Sequence, residues 1–241
     1  MLNKVYFDES ISVVIPLYNK EKNISKTIHE LSENLNSENI EIIIVENNST
    51  DNSKMIANKA VKNLSNKNIK LIESDNGFGN ALKKGFENSK NKWIYFVPAD
   101  FECGLSDIEF VTNQQLHHKY KVFAGSKAHP KTQLDRETSR KIYSIIFNKI
   151  VNLLFDTRVL DTQGTLIIER QAYEKVDKVV SEGFLFTTEL IIKLKELNID
   201  VIEVPLKQIN IENNTSTVSP LKDGVKMLYG LFRLKKLIKR I

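Results

Sequence analysis

The strongest constraint on this chain is a run with no polar face to offer. Ile40-Glu41-Ile42-Ile43-Ile44-Val45 is aliphatic at all but one position. A strand of that kind is covered on both sides, as in a parallel sheet packed between helices. Similar runs recur. Ile11-Ser12-Val13-Val14-Ile15, closed by Pro16, reads as the first strand, residues 69–72 as a third and Trp93-Ile94-Tyr95-Phe96-Val97 as a fourth. Helical spacing fills the gaps. Ile24, Ile28, Leu31 and Leu35 share one face of residues 21–35, Asp51 opens a helix over 52–64, and 79–88 and 106–118 follow the same pattern before a strand at 122–124. This alternation predicts an α/β fold with a mostly parallel sheet and helices on both faces.

After Gly125 the rhythm changes. Residues 127–135 read as a polar loop and 139–155 as a helix with a wide apolar face. A strand at 164–168, a helix at 186–197, a strand at 201–204, a polar loop at 210–219 and a helix at 221–241 complete the chain. The expected organisation is one domain over 1–220, with a first half at 11–125 and a second at 126–220, and a terminal helix at 221–241.

Composition narrows the class. A chain of 241 residues, 41% hydrophobic and 27% charged, buries a real core. Cys103 is the single cysteine, which excludes an intrachain disulfide and a cysteine zinc cluster and fits a reducing compartment. The start lacks the apolar core of a signal peptide, and no apolar stretch is long enough to span a membrane; the nearest, 142–155, is broken by Asn148, Lys149 and Asn152. The net charge of +5 comes from the end of the chain, where Lys226, Arg233, Lys235, Lys236, Lys239 and Arg240 stand without an acidic residue. The remainder is nearly balanced, which argues against a nucleic-acid surface.

The fourth strand stops at Pro98 and delivers Asp100 and Glu102 at its carboxyl end, where open α/β sheets bind ligands. Two carboxylates at that place suit Mg²⁺ or Mn²⁺ together with substrate phosphates. Two other loops, Pro16-Leu17-Tyr18-Asn19-Lys20-Glu21 and Glu46-Asn47-Asn48-Ser49-Thr50-Asp51, follow strands and lead into helix N-termini. The turn Asp75-Asn76-Gly77-Phe78-Gly79-Asn80-Ala81 is neither a Walker A loop nor a Rossmann fingerprint.

These segments, in this order and with Asp161-Thr162-Gln163-Gly164 and the stretch around Glu189 behind them, resemble the family 2 glycosyltransferases of GT-A fold. Within these the likeness is to the polyprenyl-phosphate branch, which includes dolichyl-phosphate glucosyltransferases; it covers roughly residues 11–235. The resemblance implies transfer of a sugar, with glucose from UDP-glucose as the expectation, to a polyprenyl phosphate, with inversion. It assigns Pro16, Tyr18, Asn19, Glu21, Glu46, Asn47, Ser49, Gly77, Gly79, Asn80 and Asp100 to the donor. Asp100 and Glu102 are assigned to Mg²⁺ or Mn²⁺, and Lys127, Arg136 and Arg140 to the acceptor phosphate. Asp100 and Glu189 are the implied catalytic residues, Glu189 as a carboxylate near the acceptor. Several positions depart from the family pattern. Pro98 stands for the first D-x-D aspartate, Glu46-Asn47-Asn48 for Asp-Asp-Gly and Lys127 for an arginine, and no basic residue occurs near Ser216 and Thr217. The alternatives are a sugar-hydroxyl acceptor, which requires a general base, and a nucleotide-sugar-binding homologue without activity.

The terminal helix can gather Val225, Leu228, Leu231, Phe232 and Ile238 on one face, with Leu234, Leu237 and Ile241 near its edges and Arg233, Lys236, Lys239 and Arg240 on the remainder. A basic amphipathic helix suits an anionic membrane surface, placing the protein at the cytoplasmic face of a membrane. Partners beyond the nucleotide sugar, the polyprenyl phosphate and that surface are a second copy of the chain or a membrane protein.

Overall fold

The computed structural model describes residues 3–64, 68–209 and 220–238. Its strands are β1 (Val5–Phe7), β2 (Ile11–Leu17), β3 (Leu35–Ser37), β4 (Ile40–Glu46), β5 (Ile69–Glu73), β6 (Trp93–Phe96), β7 (Val122–Ser126), β8 (Leu166–Glu169) and β9 (Ile202–Pro205). Seven of them form the main sheet in the order β5-β4-β2-β6-β8-β7-β9, and β1 pairs with β3 apart from it. Within the main sheet only β8 runs against its neighbours. The helices are α1 (Ile24–Asn34), α2 (Ser53–Asn63), α3 (Phe78–Glu87), α4 (Ser106–Asn113), α5 (Thr138–Phe155), α6 (Arg170–Glu174), α7 (Phe186–Glu196) and α8 (Pro220–Ile238).

The aliphatic strands divide their side chains between two cores because successive residues point to opposite faces. Val13, Ile15, Ile42, Ile44, Trp93 and Tyr95 join Ile28 and Leu31 of α1 and Ile108 of α4 on one side. Val14, Ile43, Val45, Ile94 and Phe96 meet Leu82 and Phe86 of α3 and Phe186 and Leu190 of α7 on the other. A third cluster lies outside the sheet, where Phe147 and Val151 of α5, Leu185 and Ile192 enclose Leu231 and Leu234 of α8.

The strand expected to close at Pro16 continues to Leu17. β6 pairs with β2 only as far as Val14, while β4 follows it to the end, so proline stands where one flank of the strand is already free of a partner. The helix expected over 106–118 ends at Asn113; Gln115 takes a positive φ of 50° and a 3₁₀ turn covers Leu116–His118. The terminal helix is docked rather than free. Leu231 and Leu234 are buried against α5 and α7, whereas Phe232, assigned by spacing to the same face as Leu231, is exposed. Burying two leucines is worth about 3–6 kcal/mol, enough to hold α8 on the body. The expected loop at 210–219, with Ser216 and Thr217, and the last three residues lie outside the described residues.

Candidate active site

The carboxyl ends of β2, β4, β5 and β6 open onto a cleft of about 1250 Å³. Pro16 and Tyr18 enter it from β2, Asn47 from β4, Gly77 from the turn after β5, and Asp100 and Glu102 from the loop after β6. The far wall carries Lys127, Arg136 and Arg140, and α8 adds Lys226 and Arg233. The two carboxylates expected to hold a metal therefore share one cavity with the three cations expected to hold a phosphate. Their charges are felt across it. Burial and the charge of Asp100 push the Glu102 carboxyl above its ordinary value, and Arg136, Lys127 and Arg140 pull it back. Burial also pushes the Cys103 thiol up to about 12, so it is no nucleophile.

Two oxygen ligands from one loop fit Mg²⁺ or Mn²⁺, which complete their shells with water and phosphate oxygens. Lys20 already touches one of the two. Its ammonium lies 3.1 Å from Asp100 Oδ2, with the two side chains 15% and 24% exposed. Lys20 stands inside a segment that draws attention from sequence, yet its partner is 80 positions away, and only the fold brings them together.

Other residues expected at the donor are occupied in building the loops. The Glu46 carboxylate accepts the backbone N–H groups of Asn48 and Ser49 at 3.2 and 2.6 Å. Asn19, at a φ of 48°, accepts from Thr50 N–H at 2.8 Å, and its own backbone N–H donates to Ser49 Oγ at 3.2 Å. Glu21 accepts from Asn52 N–H at 3.0 Å. Asn47 spans to the next loop, donating to Asp75 O at 2.7 Å and accepting from Gly77 N–H at 3.0 Å. Among these, Asn47 alone also lines the cleft.

The resemblance assigns Gly79 and Asn80, at the N-terminus of α3, to the donor. Instead Gly79 and Asn80 donate to the carbonyl of Glu182 at 2.7 and 3.3 Å. The approach requires glycine, since a Cβ on Gly79 would sit 2.4 Å from Ser181 O. The segment 180–185 thus closes one side of the cleft, and nothing in its sequence signals that.

Glu189 holds this segment in place. It is fully buried on α7, away from the cleft lining, and its two oxygens accept the N–H groups of Val180 at 2.9 Å and Ser181 at 2.8 Å. The expectation of a carboxylate at the acceptor is corrected to a positioning role, because its lone pairs face backbone donors rather than the cavity. Glu189→Gln turns an amide toward two N–H groups, so stability falls by about 1–3 kcal/mol. Denaturant unfolding measures that loss, and the pH–rate profile of the variant keeps the wild-type shape. Disappearance of an acidic limb would make Glu189 a general base.

Lys127 is likewise fixed from below. Its Nζ lies 2.9 Å from Asp161 Oδ2 and donates to Gln163 O at 2.6 Å. Burial favours a neutral Asp161, but the charge and hydrogen bonds of Lys127 outweigh it and hold that carboxyl below its ordinary value. Among the described residues Arg140 is paired locally, with Glu137 at 3.3 Å.

Among the described residues, a further set of metal-capable side chains is Asp8, His117 and His118. It lies before β2 and β7, at the opposite end of the strands from the cleft. His117 Nε2 sits 2.5 Å from Asp8 Oδ1, closer than the roughly 3.3 Å that two ligand atoms keep on a tetrahedral ion with bonds of about 2.0–2.1 Å. It is a hydrogen-bonded clamp on the β1 side of the molecule.

The mostly parallel sheet, with one reversed strand, thus opens at its strand ends onto a cleft lined by both carboxylates and cations. The sequence matches the glycosyl transferase family 2 model over residues 12–177. The chain belongs to the family 2 glycosyltransferases. It is 26% identical over 202 residues to glycosyltransferase AglD of Haloferax volcanii, covering 81% of this chain and 32% of that protein. It is 28% identical to the uncharacterised MJ1222 of Methanocaldococcus jannaschii over 97% of this chain and 95% of that protein. To the dolichyl-phosphate beta-glucosyltransferase of Dictyostelium discoideum it is 24% identical, covering 68% of this chain and 52% of that enzyme. The chain thus spans about a third of AglD and about half of the Dictyostelium enzyme. The fold is that of Mycobacterium tuberculosis glucosyl-3-phosphoglycerate synthase, solved with Mn²⁺, UDP and phosphoglyceric acid. The TM-score is 0.69 at 16% identity, over 94% of this chain and 78% of that one. This is a GT-A fold. No helix among the described residues is long and apolar enough to cross a membrane.

Proposed function

We propose that the protein transfers a sugar, glucose from UDP-glucose, to a polyprenyl phosphate at a membrane surface. The observation that carries this reading is the shared cleft, in which Asp100 and Glu102 face Lys127, Arg136 and Arg140. Relatives support its two halves: a mycobacterial neighbour was solved with Mn²⁺ and UDP, and a curated relative is a dolichyl-phosphate glucosyltransferase.

In this reading the nucleoside lies against Pro16, Tyr18 and Asn47, and the diphosphate lies over Asp100. Asp100 and Glu102 hold Mg²⁺ or Mn²⁺, which when bound neutralises charge on the departing diphosphate. Arg136 and Arg140 grip the acceptor phosphate and aim one of its oxygens at the anomeric carbon. That oxygen forms the new C–O bond as the bond from the anomeric carbon to the diphosphate breaks, with inversion. The nucleophile is already anionic, so no proton moves. The burial of Glu189 agrees with this, because a hydroxyl acceptor would need a base and this carboxylate is spent on backbone donors.

Replacing Arg136 and Arg140 together by Gln removes two charge-assisted phosphate contacts. The apparent KM for a short polyprenyl phosphate then rises by about tenfold to hundredfold, while affinity for UDP stays within a factor of two or three. Steady-state kinetics and calorimetry measure the two separately. Equal losses on both would put the arginines on the donor.

Membrane attachment rests on the α5–α8 pair. Ile142, Tyr143, Ile145 and Ile146 of α5 are about half exposed, Tyr229 and Phe232 of α8 more so, and Arg233, Lys235 and Lys236 lie on the same helix as the latter two. Exposed apolar side chains with cations close by in the chain suit an anionic bilayer surface. Ile145→Ser with Phe232→Ser spares the buried leucines, so the protein remains folded and co-sedimentation with phosphatidylglycerol-containing liposomes drops severalfold. Unchanged co-sedimentation would remove the membrane from the account.

A further inference from the structure

We propose that Lys20 is a resident cation for the donor diphosphate, so that nucleotide binding in this cleft does not depend on a divalent metal. The inference rests on the reading of the cleft as a nucleoside-diphosphate site and assigns a residue that reading leaves unused.

The loop after β6 presents only two carboxylates to the cleft, because Pro98 has none to offer and Ala99 follows it. One of the two is already neutralised, with Lys20 Nζ 3.1 Å from Asp100 Oδ2. The lysine does not arrive there by chance of a long side chain. Its backbone N–H donates to Ser53 Oγ at 2.7 Å, and Ser53 is fully buried at the start of α2. The preceding residue, Asn19, is locked in its left-handed conformation by Thr50 and Ser49. Two loops thus fix the base of the side chain, and Asp100 fixes its head. Lys20 itself lines the cleft and is only 15% exposed. An ammonium held at that depth, beside a carboxylate and open to the cavity, is a preorganised phosphate ligand. It also lowers the negative charge that would draw a metal to Asp100. A divalent ion still has oxygen ligands here, but the diphosphate meets a positive charge before the ion arrives.

Calorimetry of UDP binding, with EDTA and with saturating Mn²⁺, tests this without reference to turnover. Wild-type protein binds UDP in EDTA within about tenfold of its affinity with Mn²⁺. Lys20→Gln loses about tenfold to hundredfold in EDTA, the range of one charge-assisted hydrogen bond, and regains most of it with Mn²⁺. Lys20→Arg keeps the metal-free binding, and thermal melts of both variants establish that they are folded. Wild-type binding that vanishes in EDTA, or Lys20→Gln that binds UDP in EDTA like wild type, overturns the proposal and leaves the donor reading intact. Failure of UDP and GDP to bind under either condition overturns the donor reading and the role of Lys20 with it.

Discussion

Asp100→Ala lowers the rate of sugar transfer by at least about 10²–10³-fold, the loss seen when one preorganised electrostatic contact to a developing charge is removed. Both proposed sources of positive charge at the diphosphate pass through this carboxylate. It is one of two ligands for the ion, and it anchors the ammonium of Lys20. Removing it leaves Glu102 alone and lets Lys20 swing into solvent. The fold is expected to survive. Asp100 lies in a loop, and a partly exposed ion pair of this kind contributes about 0–1 kcal/mol. Circular dichroism and a thermal melt close to wild type, alongside lost transfer, are the predicted pair of results. Full activity of Asp100→Ala would remove the carboxylate from the mechanism.

Lys127→Ala is expected to fail for a different reason. Asp161 has no exposed surface, and Lys127 is its charged partner at 2.9 Å. Truncating one member of such a pair strands a buried charge and costs about 3–5 kcal/mol. The pH dependence carries the sign. In the wild type the Asp161 carboxyl is held below its ordinary value. Its contribution is therefore present above the unfolded pKa and is lost as pH falls through the lower folded one. Without the ammonium, burial is opposed by the backbone N–H groups of residues 127 and 163, and the folded pKa rises relative to the wild type. The penalty then grows as pH rises and shrinks toward pH 4. Urea unfolding of both proteins between pH 4 and 8 measures this, and Asp161→Asn in the same chain recovers part of the loss. A destabilisation that is independent of pH would mean that Lys127 acts through packing. The same pairing explains why Arg136 and Arg140, rather than Lys127, are the clean probes of acceptor binding.

The strands were legible because burial on both faces removes every polar choice from runs such as 40–45, and helix spacing between them left little freedom in the topology. β1, β3 and α6 were not legible, since a strand of three residues or a helix of five holds too short a pattern. In the site, Asp100 and Glu102 announce themselves by following a strand. The roles of Glu46, Asn19 and Glu189 do not. A carboxylate that serves backbone N–H groups and one that serves a ligand have the same letter, and only the direction of the side chain separates them. Lys20 and Asp100, like Lys127 and Asp161, pair across the chain, so neither meaning is present in a local motif. The terminal helix shows the same limit. Its spacing gives an amphipathic face, but which leucines meet α5 depends on how the two helices cross.

The central claim is the transfer itself. The wild-type protein, incubated with UDP-glucose, a panel of other nucleotide sugars, Mn²⁺ and a short polyprenyl phosphate, is followed by mass spectrometry of the lipid fraction. The account predicts a glycosylated polyprenyl phosphate and an equal amount of nucleoside diphosphate. Nucleotide-sugar binding without any transfer, or transfer to an added sugar hydroxyl with the polyprenyl phosphate left unmodified, would contradict it.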